Sequence, residues 1–286
     1  MSDKFNIGIL GRGFVGSAVE NGFTSTDTFK SEIRVFDINP EKSLNTLEDT
    51  INHSDYTFVS VPTPAKQDGS IDLSILDLAL KSISDVYDNE DNIILIRSTV
   101  TPGTTEYFEG KYKKLRLVFN PEFLTERNAK NDFLNQDRII LGGANNNVER
   151  VEHLYLSRFG KKPIIKTNFA TAELIKYMNN CFLATKVSFM NEMKMVADKS
   201  NVDWNKAVEG FALDSRVGQS HLQVPGIDGK LGFGGSCFPK DIQALISYGK
   251  SKNLDLNVLL GTWETNLKVR SERDWEELKG RAVNSE

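Results

Sequence analysis

Short apolar runs alternate with longer, more polar segments through the first 167 residues of the chain. The runs are rich in Val, Ile and Phe, and they comprise Phe5–Leu10, Ile33–Asp37, Tyr56–Val61, Asn92–Ser98, Leu115–Asn120, Arg138–Gly142 and Pro163–Thr167. Strands of a parallel sheet are buried on both faces and therefore read as continuous apolar runs, while the segments between them supply covering helices. The pattern predicts an α/β fold with a doubly wound, mostly parallel sheet over residues 1–167.

The second part of the chain has a helical pattern instead. From Ala170 to about Ser200 the sequence contains neither Gly nor Pro, and its apolar residues keep helical spacing, which predicts one long helix. A shorter helix is expected around Trp204–Gly210, followed by a glycine-rich loop and a helical tail from about Lys240. We therefore expect residues 168–286 to form an all-helical domain built on the long helix.

The long helix carries apolar side chains that two different arrangements would explain. They include Phe182, Val187, Phe189 and Met193. One arrangement is a dimer interface along the helix, and the other is packing within the chain's own domain. The period of the pattern is the same in both cases, so both interpretations stay open.

Composition narrows the class of protein. At 286 residues the chain has the length of about two domains, and its net charge of −4 excludes a strongly basic nucleic-acid-binding protein. The first residues run directly into a strand pattern without the features of a signal peptide, and no stretch approaches the roughly 18 apolar residues of a membrane span. The two cysteines, Cys181 and Cys237, favour a reduced, cytoplasmic protein without a disulfide framework.

A dinucleotide fingerprint follows the first predicted strand. Gly11, Gly13 and Gly16 form G-x-G-x-x-G at the opening of a helix, where they permit a tight turn, close approach of a pyrophosphate and close packing of helix on strand. Asp37 ends the second strand, at the place where an acidic side chain hydrogen-bonds the ribose 2′-OH and repels the extra phosphate of NADP. The first part of the chain is therefore predicted to be a Rossmann domain that binds NAD.

A second informative segment, Gly232–Asp241, reads GFGGSCFPKD. Its glycines predict a loop that can approach a ligand closely, and Pro239 is typical of the first turn of a helix. A helix N-terminus and the neighbouring Lys240 would favour the thiolate of Cys237, which makes this residue a candidate nucleophile. A lone cysteine is more commonly a buried structural residue, and the chemistry of this segment alone leaves both interpretations open.

These segments, together with several short motifs in a fixed order, resemble the UDP-glucose and GDP-mannose dehydrogenases, with the UDP-glucose 6-dehydrogenases as the closer match. The further motifs are VPTP at 61–64, STV at 98–100, NPEFL at 120–124 with Glu126, Asp137–Arg138 before a strand, and the helix that bears Lys176 and Asn180. Members of this family are NAD-dependent enzymes that oxidise the C6 alcohol of a nucleotide sugar to a carboxylate. The resemblance runs through the whole chain and implies a nucleotide-sugar substrate and a homodimer.

The resemblance also implies a covalent mechanism. One NAD would take a hydride from C6, Cys237 would attack the aldehyde to give a thiohemiacetal, a second oxidation would leave a thioester, and water would release the acid. Lys176 and Asn180, four residues apart on one helix, would both face the developing oxyanion. Asp241 would activate the hydrolytic water with Lys176, while Glu122 would take part in the same proton transfers.

Further site residues are implied by the resemblance alone. Thr99 would order a water near the alcohol, and Glu126 would lie by the nicotinamide. The expected cofactor contacts are Gly11, Gly13, Phe14, Val15, Gly16, Asp37, Pro62, Thr63, Ser98, Thr99, Glu126 and Lys240. The expected substrate contacts are Glu122, Phe123, Leu124, Lys176, Asn180, Arg216, Phe233, Gly234 and Gly235.

The chain also departs from the family pattern. Members usually continue into a second Rossmann-like domain that binds the nucleotide of the substrate, and we expect this chain to lack that domain. The last residues, from Thr262 onward, resemble the start of the long connecting helix instead. Arg216 is expected to reach a substrate phosphate across a dimer interface. Arg127 and Asn128 stand where small residues are usual, and the approach to Cys237 is longer than usual.

Three hypotheses follow from the sequence. The chain is a shortened but working nucleotide-sugar dehydrogenase, or a single-step NAD-dependent β-hydroxyacid-type dehydrogenase with Lys176 as acid and base, or an inactive NAD-binding partner subunit. The loop around Cys237 favours the first hypothesis over the second, and the intact set of reactive residues opposes the third. Cys181 matches no catalytic position of the family, and the scattered residues His53, His153 and His221 predict no metal site.

Overall fold

The computed structural model describes residues 4–284, and its first part contains a seven-stranded sheet. The strands are β1 (Lys4–Leu10), β2 (Lys30–Phe36), β3 (Tyr56–Val59), β4 (Ile93–Ile96), β5 (Arg116–Phe119), β6 (Ile139–Gly143) and β7 (Ile164–Thr167). They are ordered β2-β1-β3-β4-β5-β6-β7, and every neighbouring pair is parallel except the antiparallel β5 and β6. The mostly parallel sheet predicted from the apolar runs is confirmed.

Helices cover both faces of this sheet. They are α1 (Phe14–Gly22), α2 (Leu47–Asn52), α3 (Ser74–Val86), α4 (Thr104–Lys111), α5 (Ala129–Leu134) and α6 (Asn145–Phe159). Side chains of α1, α5 and α6 share one apolar core, and those of α2, α3 and α4 share the other. The fold is therefore doubly wound, as expected.

Strand residues supply the two cores alternately because successive side chains point to opposite faces of a sheet. In β4, Ile93 and Leu95 belong to the core under α1, α5 and α6, whereas Ile94 and Ile96 belong to the core under α2, α3 and α4. All four are fully buried. When both faces of a strand are buried, every side chain of the strand is in an apolar environment, which explains the continuous apolar runs in the sequence.

The second part of the chain is helical, again as expected. It contains α7 (Phe169–Lys199), α8 (Trp204–Ala212), α9 (Cys237–Ser251) and α10 (Asn257–Val269). A small apolar core joins α7 to the loop between α8 and α9 and consists of Met190, Leu222 and Val224. None of the helices within residues 4–284 is long and apolar enough to cross a membrane.

Tertiary contacts divide the chain into two compact units. One unit holds the residues up to Thr63 together with Leu73–Lys176, and the other holds Pro64–Asp72 together with the residues after Lys176. The short segment after β3 thus joins the second unit. Within that unit, the Ala65 N–H donates to the Ala282 carbonyl at 2.9 Å and the Asn284 N–H donates to the Ala65 carbonyl at 3.0 Å.

The helix expected from Thr262 onward is present only as far as Val269. The helix α10 ends at Val269, and a short 3₁₀ turn at Asp274–Glu277 follows it. The backbone leaves the helical conformation at Arg270, where φ is −104° and ψ is +79°, and Arg273 further on is left-handed. The Arg270 side chain is 3% exposed and pairs with Asp228 and Asp274.

Candidate active site

The glycine-rich turn between β1 and α1 has the geometry that its sequence predicts. Gly11 has φ of +91° and donates its N–H to the Phe36 carbonyl at 2.9 Å, which joins the turn to the end of β2. A Cβ atom on Gly16 would lie 1.9 Å from the carbonyl oxygen of Gly11, so no larger residue fits there. A Cβ atom on Gly13 would meet no protein atom within 4 Å. The helix α1 therefore presents open space at its N-terminus, where a pyrophosphate would lie.

Asp37 stands beside this turn. Its carboxylate accepts the N–H of Arg12 at 2.6 Å and the N–H of Asn39 at 2.8 Å. The Arg12 guanidinium is itself paired with Glu20 at 2.7 Å. A negative charge held at the end of β2 suits a ribose 2′-OH and opposes a 2′-phosphate. The residues present therefore fit NAD.

Two buried hydroxyl groups connect the loops that follow β3 and β4. The Thr63 hydroxyl donates to the Thr99 carbonyl at 2.8 Å, and the Ser98 hydroxyl donates to the Val61 carbonyl at 2.6 Å. Pro62 between them is exposed. These bonds hold both loops at the carboxyl edge of the sheet, where ligands of open α/β sheets bind. The Thr99 side chain is also buried.

Lys176 and Glu122 form a buried ion pair. The Lys176 ammonium lies 2.8 Å from Oε1 of Glu122 and donates to its carbonyl at 2.6 Å, with side chains only 3% and 7% exposed. The other carboxylate oxygen accepts the Leu124 N–H at 2.7 Å, and the ammonium lies 5.5 Å from the ring centre of Phe123. The ammonium is therefore fixed in position and remains a strong hydrogen-bond donor.

A second polar cluster lies in the other unit and centres on Asp241. Its carboxylate accepts a hydrogen bond from the Asn180 amide at 2.6 Å and pairs with the Lys240 ammonium at 2.5 Å. Asp241 is 1% exposed. The Lys240 ammonium is bonded to Asp241. The contact between Lys240 and the cofactor that the resemblance implies stays a prediction. The Asn180 amide, which the motif selects, is thus bonded to Asp241.

Cys237 is the first residue of α9, and Asp241 follows one turn later on the same helix. The thiol is partly exposed and lies 3.8 Å from the Ser236 hydroxyl. Pro239 lies in the first helical turn, as predicted. Cys181 differs from Cys237 in being buried, and burial raises the pKa of its thiol far above the ordinary value. Of the two thiols, Cys237 has the surroundings that nucleophilic chemistry requires.

The loop before Cys237 is bound by side chains that sequence reasoning missed. Asn266 donates to the Phe233 carbonyl at 2.9 Å and accepts the Phe233 N–H at 2.7 Å. Asn191 accepts the Gly232 N–H at 3.1 Å, and Asp274 accepts the Gly235 N–H at 3.2 Å. In the sequence, the amides of Asn191 and Asn266 stand among apolar helical residues, and this was the only sign that they could bind another segment of the chain.

Other predicted site residues lie in simpler surroundings. Arg216 has a side chain that is 88% exposed and pairs with Asp214, two residues earlier. Glu126 begins a 3₁₀ turn and is exposed. Phe14 and Val15 open α1, beside the glycine turn. Within residues 4–284, no group of three or more His, Cys, Asp or Glu side chains could hold a metal ion.

Two family models match the chain. The model for the NAD binding domain of the UDP-glucose/GDP-mannose dehydrogenase family matches residues 42–158, and the model for the central domain of that family matches residues 170–268. The two matches follow the order expected from the motifs. The boundary predicted at residue 167 falls in the gap between them.

Individual relatives agree with the family models. A UDP-glucose 6-dehydrogenase of Haloferax volcanii is 36% identical over 234 residues, which cover 76% of this chain and 53% of that protein. The chain spans about half the length of the curated relatives it matches.

Solved structures give a matching result. A UDP-glucose dehydrogenase of Pyrobaculum islandicum superposes with a TM-score of 0.80 at 28% identity, covering 93% of this chain and 69% of that one. A 3-hydroxyisobutyrate dehydrogenase of Mycobacterium tuberculosis gives a TM-score of 0.76 at 14% identity, with coverage of 95% and 96%. The second similarity concerns the fold alone.

Proposed function

Because the chain belongs to the UDP-glucose/GDP-mannose dehydrogenase family, we propose that it oxidises the C6 alcohol of a nucleotide sugar to a carboxylate with NAD. UDP-glucose is the proposed substrate and UDP-glucuronate the product. The observation that carries the proposal is the placement of Cys237 at the start of α9, one turn before a buried Asp241 that is bonded to Asn180. A nucleophile and a general base on one short helical segment suit formation and hydrolysis of a thioester.

NAD, when bound, accepts the hydride removed from C6 in each of the two oxidations. The thiol of Cys237 adds to the aldehyde carbon, a C–S bond forms, and its proton passes to the former carbonyl oxygen. Lys176 and Asn180 are both hydrogen-bond donors one turn apart on α7, and we assign them to that oxygen as its negative charge develops. After the second oxidation, water attacks the thioester carbon, Asp241 accepts the proton of the water, and the Cys237 thiolate leaves.

Glu122 has a defined part in this scheme. Its carboxylate and its carbonyl both accept from the Lys176 ammonium and hold it in position. We assign Thr99, held in the loop after β4, to ordering a water at the alcohol. Most of the cofactor contacts proposed from the sequence lie on the glycine turn, at Asp37 and on the loops after β3 and β4. The other two are Glu126, in the 3₁₀ turn after β5, and Lys240, on α9.

We also propose the domain division and a homodimer. Residues 1–167 form the NAD-binding domain and residues 168–286 a helical domain that carries the Cys237 loop. Three apolar side chains of α7, namely Phe182, Phe189 and Met193, are 66%, 46% and 37% exposed. They support a second copy of the chain as the partner along this helix. Arg216, exposed in one protomer, would then reach a substrate phosphate of the partner.

The stoichiometry of NADH tests the reaction. With excess NAD and a limiting amount of UDP-glucose, and then of GDP-mannose, absorbance at 340 nm should report two NADH per sugar. One NADH with a hydroxy acid would identify a single-step β-hydroxyacid-type dehydrogenase instead. No turnover despite NAD binding would identify an inactive partner subunit.

Substitution of the thiols tests the covalent step. Cys237→Ala should abolish acid formation and leave NAD binding unchanged. Cys181→Ala is the matched control, because that thiol is buried in the helix and has no part in the scheme. Acid formation at the normal rate in Cys237→Ala would reject the covalent proposal.

A further inference from the structure

The loop before Cys237 is unusually rich in glycine and yet is held along its length. Within Gly232–Gly235, φ is +66° at Gly232 and +70° at Gly235, conformations that glycine adopts readily. Glycine loses more backbone entropy than other residues on being ordered, so such a loop needs external restraints to stay in one conformation. The restraints come from Asn191 on α7, from Asn266 on α10, and from the segment after α10.

The segment after α10 provides a charged restraint. Asp274 accepts the Gly235 N–H through Oδ2 at 3.2 Å and pairs through Oδ1 with Arg270 at 2.8 Å. The same guanidinium pairs with Asp228 at 2.9 Å and donates to the Leu231 carbonyl at 3.3 Å. Arg270 therefore holds the loop at Leu231, where it begins, and Asp274 holds it at Gly235, where it ends. Gly235 lies two residues before Cys237.

The fit between this pair and the loop is close. A Cβ atom on Gly234 would lie 2.3 Å from the Arg270 guanidinium and 2.4 Å from the Asp274 carboxylate. The pair therefore requires that residue 234 has no side chain. Burial opposes ionisation of Asp274, but hydrogen bonds from Arg270 and Gly235 outweigh it and hold the pKa of Asp274 below its ordinary value.

The segment that supplies Asp274 is itself anchored. Trp275 is 2% exposed, and its ring centre lies 5.3 Å from that of Trp263 on α10. Further along, Ala282 and Asn284 are bonded to Ala65, and the Asn284 amide donates to Asp72 at 2.9 Å. Asp274 thus projects from a fixed position.

We propose that Asp274, oriented by Arg270, is a positioning residue that fixes the glycine loop and with it the Cys237 thiol at the start of α9. The segment 270–284 thus contributes to the candidate active site by holding the glycine loop in position. The inference rests on the proposed function only in treating Cys237 as the nucleophile. Asp274 acts through the Gly235 N–H, two residues before the thiol, and has no contact with substrate in this scheme.

Alkylation of Cys237 tests the proposal without requiring turnover. The full chain and its Asp274→Asn variant would be treated with iodoacetamide across a range of pH, and modification of each cysteine followed by peptide mass spectrometry. The Cys237 rate should change by about fivefold or more, and its pH of half-maximal rate should move, because the thiol leaves its fixed place at the helix N-terminus. Cys181, which is buried, serves as the internal reference.

Asp228→Asn is the matched control. Asp228 and Asp274 pair with the same guanidinium and have equal side-chain exposure of 30%, but only Asp274 bonds the loop backbone at Gly235. The control should keep the Cys237 rate within about twofold of the parent chain, because the Gly235 bond remains. Equal changes in both variants, or no change in either, would overturn the proposal.

Hydrogen exchange gives a second measurement. The peptide that contains Gly232–Gly235 should exchange faster in Asp274→Asn than in Asp228→Asn. If Asp274→Asn does not fold, Arg270→Lys replaces it, since an ammonium cannot bond Asp274 and Leu231 with the geometry of a guanidinium. Unchanged exchange in this loop would also overturn the proposal. A chain that binds NAD but has no dehydrogenase activity would still give both results, so the two proposals fail separately.

Discussion

Lys176 and Glu122 form an ion pair with an Nζ–Oε1 distance of 2.8 Å, and both side chains are more than nine-tenths buried. The lysine comes from α7 and the glutamate from the loop after β5, so 54 residues separate them in the chain. Desolvation of two charges is costly and is repaid only when the geometry and the other hydrogen bonds are good. Here the Glu122 carbonyl and the Leu124 N–H supply those further bonds.

Removal of one partner of this pair should be strongly destabilising. In Lys176→Met, the Glu122 carboxylate stays buried without its counterion, and the free energy of unfolding should fall by about 3–5 kcal/mol. Urea denaturation followed by circular dichroism measures the loss. NADH formation should disappear as well, because the proposed oxyanion donor is gone.

Lys81→Met is the matched control for stability. Lys81 pairs with Asp85 on α3 at 2.8 Å, but the two side chains are 62% and 61% exposed. Loss of this exposed pair should cost less than about 1 kcal/mol. A similar cost for both variants would show that burial does not set the strength of the Lys176 pair.

Asp241→Asn should separate the oxidation steps from hydrolysis. The amide keeps a bond to Asn180 after rotation but can no longer accept a proton, so thioester hydrolysis should slow by about 10²-fold or more. A rapid burst of NADH, up to two per active site, should then be followed by a slow steady state. Mass spectrometry of the quenched protein should find the acyl group on the peptide that contains Cys237.

The control for this experiment is Asp255→Asn, because Asp255 is exposed in the turn between α9 and α10. It should show parental turnover and no burst. Steady-state turnover of Asp241→Asn at the parental rate would exclude Asp241 as the base. An absent burst together with absent turnover would place its role before thioester formation.

The sheet and the glycine turn could be predicted because local physical rules determine them. The fully buried Ile94 and Ile96 leave an apolar run that only a strand between two layers requires. Gly11 and Gly16 are needed by a left-handed turn and by a 1.9 Å contact, both of which belong to one short segment. Such features depend on neighbours in sequence and are therefore visible in it.

The support of the cysteine loop could not be predicted, because it depends on distant residues. Asn266 lies 33 residues from Phe233, and Asp274 lies 39 residues from Gly235. The sequence after Thr262 has a helical pattern up to Val269, and nothing local shows that Arg270 turns inward to pair with Asp228. The resemblance to longer proteins suggested a continuing helix, but the helix of this chain ends at Val269.

Substitutions of the fingerprint glycines Gly13 and Gly16 should affect two different properties, NAD binding and stability. Gly13→Ala should leave the stability of the chain without NAD nearly unchanged, since its Cβ atom would meet no protein atom within 4 Å. NAD binding should weaken by about tenfold or more, because the methyl group occupies the path of the pyrophosphate. Gly16→Ala should instead lower the free energy of unfolding by about 2 kcal/mol or more, owing to overlap with the Gly11 carbonyl.

Thermal unfolding with and without NAD separates these two effects. The parent chain should be stabilised by NAD, whereas Gly13→Ala should need a higher NAD concentration for the same shift. Gly110→Ala, on α4, is a control because its Cβ atom also meets no protein atom within 4 Å and it lies outside the fingerprint. Parental NAD affinity in Gly13→Ala would mean that the cofactor does not pass over this turn.

Low pH should reduce the stability of the fold in part by protonating Asp228 and Asp274, the two partners of Arg270. For Asp228, as for Asp274, burial raises the pKa but hydrogen bonds, including that from Arg270, outweigh burial, so both values lie below the ordinary 3.8. An acid with a lowered pKa in the folded state stabilises the fold above its ordinary pKa, and this contribution is lost as the pH falls toward the folded value.

The parent chain should therefore lose stability below about pH 4, and Asp274→Asn should lose less over the same interval. Urea denaturation at pH 5, 4 and 3 gives the slopes. Identical slopes in the parent and in Asp274→Asn would mean that ionisation of Asp274 does not contribute to the stability of the fold.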